Sequence, residues 1–526
     1  FYAYNAAGHS FVNLVIRGSG GLNTGTPGNN TQQGISYYAD LAGSVKLNYL
    51  FFSNISVSGF QRNGLVIGSW NGTTGYTNIT LIGSSFFNNG QAGMSSYSEG
   101  LYGHQNVNVI NCKFYNNSGR SDNTTGNTGS GLILSGVDGG RIEYCEAYNN
   151  GYLNSHLGGG PVGIWTYIVN NILIQYNESH HNKAGLDADG GGFDFDGGTN
   201  NSIMQYNYSH DNEGAGYLVA QYVGAPSMSN NIIRYNISEN DGRKNSYGGI
   251  YLWGGNSFSN IQIYNNTIFV DGSNMTNGTP SAVVMNGNNY SGINLRNNIF
   301  VASGTLPNLL RASNGATSTS NVLFQGNLYF STNNTPKYVW GGSTYTSLSA
   351  WKAVATGQEM NAATSLGYET NPLLNNPGAA GNSNNVYNIQ NYLLPFYGLQ
   401  PASPAINNGL NLTSATYGSL NVGSFDFFGN AIPQAGAYDI GSHERMPFIS
   451  VTGNNISTPA AGGSQTLTIS SNLSWVVSPS QAWITVNTLS GQGIFSLVVN
   501  IAANASVTGR SGAISVTGSG LTQIIN

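Results

Sequence analysis

Two aspartates, Asp194 and Asp196, stand two residues apart in the segment GFDFDG that begins at Gly192. In an extended strand this spacing puts both side chains on one face, with Cα atoms about 6.6 Å apart. Glycoside hydrolysis uses a pair of carboxyl groups about 5 to 9.5 Å apart, one acting as acid and the other as base or nucleophile, so the spacing admits either stereochemical outcome. Charge is scarce in this chain, and its placement is therefore informative. Only 7% of residues are charged, yet 12 of the 21 acids fall between Asp138 and Asp241, together with His156, His180, His181 and His210.

Several of these neighbours extend the reading. His210 and Glu213 lie in the turn that leads to the next glycine-led segment and are expected to join the acid pair in catalysis. Glu178 and His180 fall in NESHH, in two columns (Glu146, Glu178, Tyr208 and Tyr148, His180, His210, Glu239) expected to form an exposed polar stripe that binds substrate. Asp187 and Asp189, in DADGGGFD, are the place where a calcium ion would find some of its six to eight oxygen ligands. The segment is not an EF-hand: with Asp187 at position one, Gly192 matches the invariant glycine, but Gly191 and Gly198 replace oxygen donors. The acid pair itself requires no cofactor, and calcium is the one ion the sequence suggests.

The elements that carry these residues repeat. NVNVINCKFYNN from Asn106, RIEYCEAYNN from Arg141, NILIQYNESHHN from Asn171, NSIMQYNYSHDN from Asn201, NNIIRYNISEND from Asn230 and SNIQIYNNTIF from Ser259 share one pattern, with weaker copies after them. Taking Cys112, Cys145, Asn177, Asn207, Asn236, Asn265 and Asn297 as inward pivots, the separations are 33, 32, 30, 29, 29 and 32 residues, one turn of a three-stranded coil. Stacked Asn side chains would satisfy one another and the backbone. Cys112 and Cys145 occupy that column in neighbouring coils, as a buried thiol pair or a disulfide.

Each coil also carries a glycine-led strand: GLILSG, GIWTYI, GFDFDG, GYLVAQY and GIYLWG. If the residue after the glycine points inward, Ile164, Phe193, Phe195, Ile250 and Leu252 fill the core. One outward column then reads Ile133, Trp165, Asp194, Leu218, Tyr251, and a second reads Ser135, Tyr167, Asp196, Ala220, Trp253. The acid pair is thereby expected on an exposed face between Trp165, Tyr167, Tyr251 and Trp253, aromatic rings of the kind that stack on sugar.

With 526 residues, 73 of them Gly, the chain is too long for one compact core and too poor in charge for amphipathic helices. Its apolar runs are far shorter than the ~20 residues that cross a bilayer. Only 16 Lys and Arg at a net charge of -5 supply no basic stripe for nucleic acid. The chain begins at Phe1 without an initiator Met, which reads as a processed or trimmed form. Asn-x-Ser/Thr sequences at Asn54, Asn78, Asn177, Asn207, Asn236 and Asn265 admit glycosylation, although turn chemistry explains most of them.

From about Thr335 the period breaks into TGQEMN, NPLL, SPAINNG, DFFGN and YDIGSHE. Through Trp351, Gly357, Gln358, Glu359, Asn371, Pro372, Ser403, Pro404, Asp426, Gly429, Asn430, Asp439, Gly441 and Glu444, the chain resembles the C-terminal end of secreted bacterial right-handed parallel β-helix proteins of the pectate-lyase-like kind. The resemblance covers about residues 1 to 446, with an irregular end from about 335, and the acids of that end are expected to be structural. Residues 447 to 526 alternate as short antiparallel strands. Through Ser471, Asn472, Trp475, Trp483, Ile484, Asn504, Arg510 and Gly512, residues 455 to 526 resemble a BACON domain, an Ig-like β-sandwich. Trp475 and Trp483 are expected in its small core, with sugar stacking as the alternative.

Together these resemblances imply an all-β protein, a solenoid followed by a sandwich, at the cell surface or outside the cell, with a polysaccharide or surface glycan as partner. Members of the pectate-lyase-like class use a Lys or Arg base for elimination or carboxylates for hydrolysis. Here Lys183, Arg234, Arg243 and Lys244 are the basic residues near the acidic strand in sequence, and a glycoside hydrolase is favoured over a lyase. The competing class is a structural or adhesive surface protein without turnover, self-associating as a filament subunit.

Overall fold

A computed structural model of the protein describes residues 1–20, 33–287, 289–313, 317–318, 321–434, 436–453 and 455–526. It divides into two compact units, one comprising Phe1–Asn371 with Asn376–Tyr397, the other Pro372–Asn375 with Gly398–Asn526.

The first unit is a parallel β-solenoid with three faces. Its first and second faces form one 23-stranded sheet and its third face a 12-stranded sheet. The glycine-led strands, such as Val162–Gln175, Gly191–Phe195, Tyr217–Gln221 and Gly248–Gly254, build the first face. Val162–Gln175 runs on to the second face, where its C-terminal half pairs with Ile203–Gln205. The short strands Glu146–Tyr148, Glu178–His180, Tyr208–His210 and Ile237–Glu239 build the third. Every coil repeats the same alternation, so Ile164, Phe193, Phe195, Ile250 and Leu252 are all fully buried in one continuous core.

The turn between the second and third faces is held by a ladder of buried amides. The side chain of Asn177 donates to Asn207 Oδ1 at 2.9 Å, Asn207 to Asn236 at 3.1 Å, Asn236 to Asn266 at 3.0 Å, Asn266 to Asn298 at 2.9 Å and Asn298 to Asn327 at 2.9 Å. Asn327 in turn donates to Glu359 Oε1 at 2.8 Å, and Glu359 also accepts from Gly326 N and Tyr329 Oη, closing the ladder. The inward residues are therefore Asn266 and Asn298, not Asn265 and Asn297. Those two carry φ values of 54° and 52°, the left-handed bend that precedes the inward residue, a conformation Asn adopts more readily than most residues.

At the other end of the ladder Cys145 N donates to Asn177 Oδ1 and Cys112 N to Cys145 Sγ. Both cysteines are buried free thiols. The sequons at Asn177, Asn207 and Asn236 lie on fully buried side chains and are closed to glycosylation in the folded chain.

Asn207→Ala tests the ladder. The change strips the partner from Asn177 N, Asn177 Nδ2 and Ile174 O at once. A loss of about 3 to 5 kcal/mol is expected from denaturant unfolding. A loss below about 1 kcal/mol would mean that the ladder contributes little beyond filling space.

In the second unit, Asp426, Asp439 and Glu444 turn their carboxylates to backbone N–H groups of Asn430, Glu444, Asn407, Arg445, Gln434 and Asp439, the structural role read from the sequence. Beyond them come two four-stranded antiparallel sheets. Their core contains Trp475, Leu467, Ile469, Leu497, Val499 and Val516. Trp475 is fully buried and donates to Gly493 O. Trp483 packs at the edge of that core, with the Arg510 guanidinium 4.1 Å from its ring centre.

Candidate functional site

The register of the first face pairs Ile133 with Trp165, Trp165 with Asp194, Asp194 with Leu218 and Leu218 with Tyr251. Beside it Ser135 pairs with Tyr167 and Ala220 with Trp253, while Asp196 N donates to Thr166 O of the preceding coil. Asp194 and Asp196 thus point away from the core on one face. Trp165 and Tyr167 occupy the coil before them, and Leu218 and Ala220 separate them from Tyr251 and Trp253.

Exposure is where the structure departs from expectation. Asp194 is 4% exposed and Trp165 9%, and Asp196 and Tyr167 are half-buried. The reason is in the turns. Tyr247 packs with Ala215, Leu218, Ala220 and Tyr251 into a small apolar cluster outside the core. Its hydroxyl donates to Asp189 Oδ1 at 2.9 Å. Trp165 stacks on Tyr167 with ring centres 5.2 Å apart and donates to Ser130 Oγ. Trp253 alone of the four aromatic residues is exposed, at 37%.

Burial raises the affinity of both acids for protons. Asp196 is pushed up to about 7 by burial with the charge of Asp189 added, against the opposing effect of the Gly197 N–H. Asp194 is held well above the carboxylate range by burial first, then by the charges of Asp196 and Asp189. Asp194 Oδ1 is buried without a hydrogen-bond partner.

Asp187 and Asp189 serve the preceding coil: Asp187 Oδ2 accepts from Gly158 N at 2.6 Å and Asp189 Oδ2 from Gly160 N at 2.7 Å. These donors occupy oxygens that a calcium ion would take.

His210 and Glu213 do not join the acid pair. His210 belongs to the third face, and Glu213 accepts from Ala184 N at 2.9 Å and faces Lys183 at 3.6 Å and Lys244 at 4.0 Å. The register of the third face pairs Glu146 with Glu178 and Tyr208, and Tyr148 with His180, His210 and Glu239. The expected exposed stripe is instead buried: Glu178 is 0%, His180 3%, His210 0% and Glu239 2% exposed. The segment Asn376–Tyr397 crosses it, with bonded partners 141 to 205 residues apart in the chain. Ala380 N and Gly381 N donate to Glu239 Oε1, Tyr397 Oη to Glu239 Oε2, and Ser383 N and Oγ to Glu178.

Under this strap His210 bridges two acids, Glu178 at 3.2 Å and Asp211 at 2.9 Å. Burial alone would lower its pKa. The hydrogen bonds and charges of Asp211 and Glu178 outweigh burial and push it up to about 9. Glu178 is held below the usual range, since the hydrogen bond and charge of His210 overcome its burial. Among the described residues, two groups bring three metal-ligating atoms within 4.8 Å: Glu178, His180, His210 and His181, His210, Asp211. Both include the protonated His210, which would have to give up its proton to bind an ion. No sequence pattern announced the strap, because its partners are fixed only by folding.

Residues 33–233 and 120–270 match the family described as the right handed beta helix region, and residues 449–526 match the viral BACON domain. The chain therefore carries a right-handed parallel β-helix and a C-terminal BACON domain. No curated protein matches it. Among solved structures, a Bacteroides ovatus GH5 xyloglucanase in complex with a XXXG heptasaccharide is 25% identical over 15% of this chain and 17% of its own, with a TM-score of 0.14. XylC in complex with xylose is 11% identical over 78% of this chain and 66% of its own, with a TM-score of 0.42. The Dettilon tailspike protein is 12% identical over 94% and 82%, with a TM-score of 0.31. This chain thus spans a small part of the xyloglucanase and just under two thirds of XylC. Likenesses at these scores carry nothing about activity, which has to be argued from the residues.

Proposed function

We propose that this right-handed β-helix, with its BACON domain, is a polysaccharide-degrading enzyme that hydrolyses glycosidic bonds with Asp194 and Asp196. The observation that carries the reading is the pair itself: two carboxyl groups on one strand face, buried enough to hold a proton near neutrality, one with an oxygen that has no partner in the chain. Asp194, held well above the carboxylate range, keeps the proton that the leaving oxygen takes, and Asp196, pushed up to about 7, is half ionised near neutrality and serves as the base or nucleophile beside it. Tyr167, Tyr251 and Trp253 along the same face offer rings to the sugars on either side of the cleaved bond. Elimination is less well served. Arg243 is held by Asp211, Arg234 by Gln205 and Tyr264, and Lys183 and Lys244 face Glu213.

The BACON domain and the near absence of charge support a place at the cell surface or outside the cell. Among the described residues no helix is long and apolar enough to cross a membrane.

The test is product analysis on a panel of neutral and acidic polysaccharides. New reducing ends without the ultraviolet-absorbing unsaturated ends of elimination are expected, and a chelator is expected to leave the rate unchanged. Unsaturated products would assign a lyase. Loss of activity to the chelator would revive calcium at Asp187 and Asp189. No products from any polymer, together with ordered fibres in electron micrographs, would favour the non-catalytic filament subunit.

A further inference from the structure

A concavity of about 400 Å³ opens at the corner where the chain leaves the third face, lined by Asn88, Asn116, Asn149, Tyr152, His181 and Lys183. Asn88, Asn116 and Asn149 occupy equivalent positions in three successive coils, each with a left-handed φ between 51° and 54°. Their backbone N–H groups bond to the next coil, at Tyr115 O, Tyr148 O and His180 O. A left-handed bend explains why Asn stands there but not what its amide does.

Comparison with the other bends answers that. At the entry to the second face, left-handed Asn side chains bond to one another: Asn106 donates to Asn78 at 2.7 Å, Asn230 to Asn201 at 3.1 Å and Asn260 to Asn230 at 2.8 Å. At the third-face corner the amides of Asn88, Asn116 and Asn149 make no hydrogen bond within the described chain. Alongside runs a half-buried ring ladder, with Phe87 to Tyr115 at 4.7 Å and Tyr115 to Tyr148 at 5.0 Å.

The lining holds one cation, Lys183, and no acid. Lys183 faces Glu213 at 3.6 Å. His181 is kept neutral by burial and by the charges of His180 and His210, which lower it to about 4. What remains is a row of amide donors and acceptors at the rung rise of about 4.8 Å, close to the length of one pyranose unit in an extended chain, bounded by aromatic edges and the exposed Tyr152.

We propose that this corner is a second glycan-binding site, distinct from the acid pair, that takes a neutral, extended polysaccharide with successive sugars against Asn88, Asn116 and Asn149. It holds polymer whether or not Asp194 and Asp196 cleave it.

The test is affinity electrophoresis of the Asp194→Asn/Asp196→Asn protein in gels containing arabinoxylan or β-glucan as neutral polymers and polygalacturonate as an acidic one. Glycine is the substitution of choice for the three asparagines, because it keeps the left-handed bend while deleting the amide. Retardation by a neutral polymer is expected, weakened about tenfold by Asn88→Gly/Asn116→Gly/Asn149→Gly and also by Tyr152→Ala. Retardation unaffected by either variant, absent from every neutral gel, or confined to acidic polymers would overturn the proposal. A native protein that yields no products yet shows the Asn-dependent retardation would sink the hydrolase reading and leave this site standing.

Discussion

Replacing Asp194 or Asp196 by Asn is expected to lower glycan cleavage by about 10²- to 10⁴-fold, the usual contribution of a positioned acid or base. Reducing-end release on the polymer that the native protein cleaves is the measurement. The same substitutions carry a stability signature that separates a catalytic loss from a folding defect. Both acids bind their protons more firmly in the folded chain than an unfolded aspartate does. The folded state is therefore favoured by acid, and native stability falls as pH rises from about 4 through about 7. Asp196→Asn removes the titrating group and should flatten that fall, leaving the variant on the order of 2 kcal/mol more stable than the native protein at pH 8. A variant that cleaves at the native rate would dismiss Asp196 as a catalytic residue. One no more stable at pH 8 would show that its carboxylate is well solvated after all.

The columns that bring these acids beside Trp165 and Tyr167 were legible in the sequence because they follow from two periods, the alternation of a strand and the 29- to 33-residue coil. Neither period involves distant chain. Burial was not legible, because it depends on turns of irregular length. Tyr247 comes from the turn after Asp241 and reaches Asp189, 58 residues earlier. The strap over Glu178 and Glu239 arrives from still further away.

The slip at Asn265 and Asn297 has a different origin. Coils that read Tyr-Asn, such as Tyr206-Asn207 and Tyr235-Asn236, mark the inward residue by type, with Tyr at the left-handed bend. Where the pair is Asn265-Asn266 or Asn297-Asn298, one residue type satisfies both the bend and the ladder, and type no longer distinguishes them. The chemistry of the third face was misread for the complementary reason. Polar residues such as His180 and His210 are buried on the outward side of the third face because they are paired with acids there, and pairing is invisible in a single coil.

That pairing makes Glu178→Ala the substitution with the largest expected structural effect. Glu178 Oε1 accepts from both His210 Nε2 and Ser383 N, and so ties the imidazolium to the strap. Removing it leaves His210 buried with Asp211 as its remaining acid and strips the strap of its anchor at Ser383. A cost of about 3 to 5 kcal/mol is expected, with proteolytic cleavage appearing between Asn376 and Tyr397. Glu178→Gln keeps an acceptor for Ser383 N and should protect the strap while still weakening the hold on the proton. The pH dependence tests the electrostatic part. His210 has its folded pKa raised to about 9, so its contribution is complete below the unfolded value of about 6.5 and is lost as pH rises through 9. In Glu178→Gln the loss should begin at lower pH, since one of the two acids that raise His210 has become neutral. Thermal midpoints of the native and variant proteins between pH 6 and 10 measure the difference. Parallel curves across that range would mean that the imidazolium gains as much from Asp211 alone, and that Glu178 holds the strap without stabilising the charge beneath it.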